Sequence, residues 1–186
     1  MKLLAQIGQI NYNAGMKALF LDRDGVINVE KEYLHTIEAF EFIDGLFETL
    51  RYAQERGYLL IVITNQSGIS RGYYSEADVL RLHRWMCEQL GNEGISIAKV
   101  YYCPHSPEAG CDCRKPLPGM LHEAARDFEI DFAASVLIGD KEADIEAGKA
   151  AGVGRCILAR SGHRIDESRT KADAIVDSVK TLQPYL

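Results

Sequence analysis

The sequence lacks the features that would tie it to a membrane or to a polyanion. None of its apolar runs approaches the roughly 18 residues at which a membrane span is suspected. Residues 1–15 carry Lys2 and a short apolar stretch, but no continuous apolar core and no small-residue cleavage site, which argues against a secretory signal. No basic run exceeds two residues and the formal net charge is −6. A nucleic-acid partner and a membrane partner are therefore not expected, and an anionic ligand must be drawn in by a few local cations. Internal repeats, low-complexity tracts and inter-domain linkers are also missing. The five cysteines (Cys87, Cys103, Cys111, Cys113 and Cys156) are an odd number. With no export signal, that count fits a reducing cytoplasm, where clustered thiols bind metal more often than they form disulfides.

What is present is enough apolar chain for a full core. The 186 residues are 47% hydrophobic, which favours one domain and excludes a disordered chain. Residues 1–16 read as an N-terminal extension, because Met16 makes an equally good start just before the first strand. Residues 17–186 read as a single domain, expected to be monomeric. Strand-like runs are expected at Ala18–Asp22, Leu59–Thr64, Ala98–Cys103, Ser135–Gly139, Arg155–Leu158 and Ala174–Val176. Helical patterns lie between them at Gly45–Arg56, Ser75–Leu90, Gly119–Phe128 and Glu142–Ala151. Ser75 with Asp78 predicts a capping box. The alternation predicts an α/β fold: a central parallel sheet, helices on both faces, and ligands beyond the carboxyl ends of the strands.

The strand ends carry the chemistry. Asp22 and Asp24 follow the first strand, and i,i+2 alternation points both carboxylates the same way, with Arg23 turned away. Two like charges that close require a cation or a shared proton. Thr64, Asn65, Ser67 and Gly68 follow the second strand, Arg114-Lys115-Pro116 precede a helix, and Gly139-Asp140-Lys141 follow the fourth strand. Together these groups suit Mg²⁺-assisted phosphoryl transfer. Asp22 and Asp140, with the Asp24 carbonyl, offer oxygen ligands, and Lys115 and the Thr64 hydroxyl offer donors to phosphate. Backbone amides after Asp22 and Thr64 suit an anion-binding nest. Asp22 is the expected nucleophile. Asp24, protonated at first, is the expected proton donor and later the base. Asp144, one helical turn beyond Asp140, is expected to support the site from behind or to act as an outer partner of the metal. Each segment alone has a blander reading as a turn, a solvated loop or a helix cap; their joint placement at strand ends favours a reaction centre.

The segments Asp22-Arg23-Asp24-Gly25-Val26-Ile27-Asn28, Thr64-Asn65-Gln66-Ser67-Gly68-Ile69, Arg114-Lys115-Pro116 and Gly139-Asp140-Lys141 resemble the four motifs of the haloacid dehalogenase (HAD) phosphatases. The resemblance spans about Lys17 to Gly162. It implies a Rossmann-like fold, Mg²⁺ and an aspartyl-phosphate intermediate. Only about one helix separates the first two motifs, so no large cap domain is expected. Asp22, Asp24 and Asp140 match the family's Mg²⁺ positions. Thr64 and Lys115 match groups that stabilise the phosphoryl, and Arg114 matches a substrate-recognition residue.

A second cluster, Cys103-Pro104-His105 with Cys111-Asp112-Cys113, supplies three thiols and an imidazole, the number of ligands a structural Zn²⁺ site requires. Because Cys113 directly precedes Arg114 and Lys115, zinc is expected to fix the loop that presents these cations. Zinc loop and motifs together resemble the HAD branch that includes heptose-bisphosphate and histidinol-phosphate phosphatases. The run from Thr64 to Tyr74 resembles the heptose enzymes more closely. A small sugar bisphosphate is the implied substrate, with histidinol phosphate or another small monoester as the alternative. The resemblance places sugar-phosphate contacts at Glu30, Lys31, Glu32 and Tyr33, at Asn65, Gln66 and Ser67, and at Lys141. Arg71, Arg114 and Lys141 are candidates for a second phosphate. A phosphatase of nucleic-acid ends and a non-catalytic zinc-clipped binding module are the rival classes. Cys87 and Cys156 are expected in the core, and His35, His83 and His122 in packing or surface roles. His163 has no assigned role, and 164–171 reads as a solvated loop.

Overall fold

Six apolar runs become six strands in the computed structural model, which describes residues 15–186. They are β1 (Ala18–Leu21), β2 (Leu59–Asn65), β3 (Ile97–Cys103), β4 (Val136–Gly139), β5 (Arg155–Ala159) and β6 (Ala174–Val176). The helices are α1 (Leu46–Glu55), α2 (Glu76–Asn92), α3 (Gly119–Phe128) and α4 (Glu142–Ala151). The expected extension over 1–16 falls mostly outside the described residues. Within them, Met16 bridges to Ile130, donating its N–H to Glu129 O and accepting from Asp131 N.

All strand–strand pairings are parallel and the strand order is β3-β2-β1-β4-β5-β6. The chain winds outward from β1 to β3, then crosses back to add β4 on the other side of β1. The switch in strand order therefore lies between β1 and β4, where such sheets bind ligands. Because both faces are covered, the strands are apolar on both sides, and alternate residues feed two cores. Leu19, Leu21, Leu60, Val62 and Ile138 pack with Leu46 and Leu50 of α1 and Met86 and Leu90 of α2. Phe20, Ile61, Ile63 and Leu137 pack with Met120 and Leu121 of α3 and Ile145 of α4. Cys156 is buried in the second core; Cys87 is half-buried against the first.

The capping box of α2 forms as expected: Asp78 N–H donates to Ser75 Oγ at 3.2 Å, and Ser75 N–H to Asp78 Oδ2 at 3.0 Å. The aromatic residues Phe40, Phe42 and Trp85 pack in one cluster, which anchors the long β1–α1 connection to α2. Two 3₁₀ turns, Val179–Thr181 and Gln183–Tyr185, flank Leu182, and Val179 and Leu182 are buried beside α1.

Replacing Ser75 by Ala removes the cap's acceptor and should cost about 1 kcal/mol. Urea unfolding should show a lower midpoint, with the cooperativity of the transition unchanged.

Candidate active site

Strand geometry delivers the acidic groups to one place. Asp22 extends β1, its N–H bonding Ile138 O of β4 at 3.0 Å. Asp140 follows β4, and Asp144 sits one turn into α4. Ligand oxygens of Asp22, Asp140 and Asp144 lie within 4.8 Å of one another. One ammonium pairs two of these three carboxylates. Lys115, 4% exposed, reaches Asp22 Oδ1 at 2.9 Å, Asp144 Oδ1 at 2.5 Å and the Ile63 carbonyl at 2.8 Å. Burial alone would lower the Lys115 pKa, but Asp144 and Asp22 together raise it, so the amine stays charged. Burial pushes Asp22 up to about 6, and neither Lys115's opposing charge nor its hydrogen bond cancels that penalty. Asp140 is also raised, first by burial and then by Asp22. Its Oδ1 is buried without any hydrogen-bond partner. A carboxylate with one unpartnered oxygen, clustered with two more carboxylates, is the donor set a hard divalent cation takes. The residues fit Mg²⁺ at Asp22 and Asp140.

Arg23 corrects one expectation. It is not turned away: fully buried, it folds back onto Asp24, with Nη2 2.9 Å from both carboxylate oxygens and Nε 3.2 Å from Oδ1. Leu34 O accepts from Nη2 at 2.8 Å, and His83 Nε2 lies 3.2 Å from Nη1. Burial and the Arg23 charge lower the His83 pKa to about 3, so His83 is neutral and accepts this hydrogen bond. Asn28 and Gln66 add two further donors to Asp24. Burial works against ionisation of Asp24, yet the Arg23 charge and these hydrogen bonds hold its pKa below the usual value. The expected starting proton on Asp24 is therefore absent in the ligand-free protein.

A cavity of about 320 Å³ is lined by Asp22, Asp24, Thr64, Arg114 and Lys115. Glu30, Glu32, Tyr33, Asn65, Ser67, Arg71 and Lys141 also border it, as the sequence leads one to expect. Lys31 does not: its ammonium bonds Ala39 O and pairs with Glu41, away from the cavity. Glu32 and Tyr33 adopt φ of 46° and 56°, a conformation rare outside glycine, at the cavity rim. Gln66 borders the cavity but is 2% exposed and its amide is fully used. Its Nε2 donates to Thr64 Oγ1 and Asp24 Oδ2, and its Oε1 accepts from Tyr74 O–H. Gln66 thus locks Thr64 to Asp24 rather than offering itself to a sugar. His163, left unassigned from sequence, borders the cavity as well and contacts Asp140. It stands in a loop far along the chain from every motif, so no spacing signal marks it.

The Cys–His cluster closes beside the cavity. Neighbouring donor atoms of Cys103, His105, Cys111 and Cys113 are 3.3–3.6 Å apart. Four donors converging at that spacing fit a tetrahedral Zn²⁺ with bonds near 2.0–2.3 Å. Two connections tie the cluster to the reaction centre. Cys103 pairs with Asn65 across the β2–β3 ladder, and Asn65 exchanges reciprocal hydrogen bonds of 3.1 Å with the Lys115 backbone. The Arg114 guanidinium donates to His105 O at 3.2 Å.

Because the folded-state pKa of Asp22 lies above its unfolded value of 3.8, the stability it contributes is present at low pH and is lost as pH rises through about 6. At pH 7.5 without Mg²⁺ the charged Asp22 is a net cost. Asp22→Asn should therefore raise Tm at pH 7.5 and lose that advantage near pH 4. A calorimetric Tm lowered equally at both pH values would contradict this.

Comparisons with known proteins agree with the geometry. A family model described as HAD-hyrolase-like matches residues 112–182. The D-glycero-beta-D-manno-heptose-1,7-bisphosphate 7-phosphatase of Haemophilus ducreyi is 44% identical over 180 residues, covering 92% of this chain and 99% of its own. The D-glycero-alpha-D-manno-heptose-1,7-bisphosphate 7-phosphatase of Burkholderia mallei is 48% identical over 179 residues, covering 91% and 93%. Among solved structures, the D,D-heptose 1,7-bisphosphate phosphatase of B. bronchiseptica, complexed with magnesium and phosphate, superposes with a TM-score of 0.81 at 27% identity, covering 91% of this chain and 97% of that one. With strand order, charged strand ends and near-full-length relatives in accord, the chain belongs to the heptose-1,7-bisphosphate 7-phosphatase family of HAD-superfamily phosphoric monoester hydrolases.

Proposed function

We propose that this enzyme removes the C7 phosphate of D-glycero-D-manno-heptose 1,7-bisphosphate through an aspartyl-phosphate on Asp22, in the synthesis of nucleotide-activated heptose for lipopolysaccharide or other surface sugars. The observation that carries the reading is a cavity lined together by Asp22, Asp24, Thr64, Lys115, Arg71, Arg114 and Lys141, with the buried Asp140 clustered beside Asp22. Mg²⁺, held by Asp22, Asp140 and the Asp24 carbonyl, would neutralise phosphate charge as nucleophile and ester approach.

The chain's own groups divide the remaining work. Arg23 N–H and Lys115 Nζ both bond Asp22 Oδ1, which leaves Oδ2 to attack phosphorus. As the new Asp22 O–P bond forms, the P–O bond to sugar C7 breaks and the departing oxygen takes a proton from Asp24. Asp24 acquires that proton when the substrate's negative charge arrives beside it, since a like charge favours the neutral carboxyl. Asp24, again a carboxylate, then takes a proton from water as that water attacks the phosphoryl group, releasing phosphate and restoring Asp22. Lys115 and the Thr64 hydroxyl support the phosphoryl oxygens throughout. The arginines suit the anomeric phosphate, with Arg114 pre-aimed by its bond to His105 O. No helix among the described residues is long and apolar enough to cross a membrane.

The relatives' names include both anomers at similar identity. The decisive assay is phosphate release from the α- and β-1,7-bisphosphates, with histidinol phosphate as control. A second phosphate engaged by two charged hydrogen bonds, each worth about 1.5–3 kcal/mol, should give the preferred bisphosphate at least about a 100-fold advantage in kcat/KM. Arg114→Ala should erase most of that advantage. Equal kcat/KM for histidinol phosphate would favour the small-monoester alternative. Zinc removal from the folded enzyme, with Mg²⁺ present, should raise KM and lower kcat together, because the loop that aims Arg114 and Lys115 loses its anchor. Unchanged kinetic constants would reject that role for zinc.

A further inference from the structure

Asp140 has two oxygens with opposite fates. Oδ1 is buried and partnerless, whereas Oδ2 receives the His163 backbone N–H at 2.9 Å and the His163 ring Nδ1 at 2.6 Å. The strap Ser161–His163 that brings these donors is itself pinned: Ser161 Oγ donates to Gly25 O at 2.6 Å, in the turn after β1. Glycine permits the approach. A Cβ on Gly162 would stand 2.0 Å from Asp140 Oδ2, and one on Gly25, where φ is +83°, would stand 2.5 Å from the same atom. The ring nitrogen facing Oδ2 must carry the hydrogen, because a lone pair there would meet a carboxylate oxygen.

We propose that His163 is a positioning residue for the Mg²⁺-binding carboxylate: the Gly162-His163 strap occupies Asp140 Oδ2 with two donors and so presents Oδ1 alone to the cation. The inference rests on the Mg²⁺ site proposed above. A carboxylate free to rotate would divide its oxygens between the cation, Lys141 and solvent; one with a filled oxygen has a single binding face. Ligating carboxylates are commonly oriented by such outer hydrogen bonds. A rival arrangement would use Glu30, Asp140 and His163 as ligands of a second cation, since their donor atoms also lie within 4.8 Å of one another. The backbone N–H on Oδ2 argues against it, because that donor cannot withdraw without moving the whole strap.

The test is Mg²⁺ binding to the full chain by calorimetry, without substrate, alongside Tm in Mg²⁺-free buffer. Asp140→Asn serves as the reference that should lose binding. His163→Ala should weaken Mg²⁺ affinity about 10- to 100-fold with Tm unchanged. His163→Asn, whose amide nitrogen can stand near the place of Nδ1, should recover part of the loss, and Gly162→Ala should weaken binding like His163→Ala. His163→Ala binding within about twofold of wild type, while Asp140→Asn is defective, would overturn the inference and leave the Mg²⁺ site standing. Normal binding by Asp140→Asn would overturn both. Equal losses in the Ala and Asn variants with a lowered Tm would reduce His163 to a scaffold role. Loss of a separate second binding event would favour the rival cation site.

Discussion

A single buried ammonium holds this site together. Lys115 lies between Asp22 and Asp144, and without it two desolvated carboxylates would face each other unpaired. Leaving such charges buried without a partner costs several kcal/mol. The sheet permits the cluster because β1 and β4 are neighbours at the switch in strand order, so residues following two distant segments of chain end side by side. One positive charge for three acids leaves an excess of about two negative charges, which a divalent cation would neutralise. The raised Asp22 and Asp140 record the same imbalance. Their strain is the condition of reactivity: a carboxylate fully satisfied by hydrogen bonds would be a poor nucleophile and a poor metal ligand.

Around that centre, each reactive group is aimed by a neighbour that does not itself react. Arg23, backed by His83 and the Leu34 carbonyl, grips Asp24. Gln66 ties Thr64 to Asp24 and is held in turn by Tyr74. Asn65 clamps the Lys115 backbone and connects it through β3 to the Cys–His cluster. Such support matters because phosphoryl transfer depends on placement to within a fraction of an ångström. With no large cap over the cavity, loops supply the walls, and loops require this cross-bracing to be precise.

Sequence revealed the fold and singled out the candidate reacting groups for physical reasons. Strands buried on both faces leave continuous apolar runs such as Leu59–Ile63, and polar residues that end them stand out. Ser75 and Asp78 announced their helix start through a fixed local spacing, and the C-x-H-x5-C-x-C pattern did the same for the converging Cys–His cluster. The supporting contacts were not legible because they join residues far apart in sequence. His163 meets Asp140 across 23 positions and His83 meets Arg23 across 60. Strand alternation sent Arg23 away from Asp24, yet a long guanidinium side chain can bend back to a carboxylate beside it. Lys31 was assigned with its neighbours, but two consecutive left-handed residues at Glu32 and Tyr33 turn the rim so that Lys31 finds Glu41 instead. Gln66 sits in the expected stretch with a different duty, because only the fold shows that its amide is already occupied.

The central claim is that Asp22 carries the phosphoryl group between substrate and water. It is tested most directly by rapid acid quench of a single turnover with heptose bisphosphate labelled at the C7 phosphate, followed by peptide mapping. The account predicts transient label on Asp22 alone, formed before inorganic phosphate and absent in Asp22→Asn. Turnover with no protein-bound label at any time, or label on another residue, would contradict it.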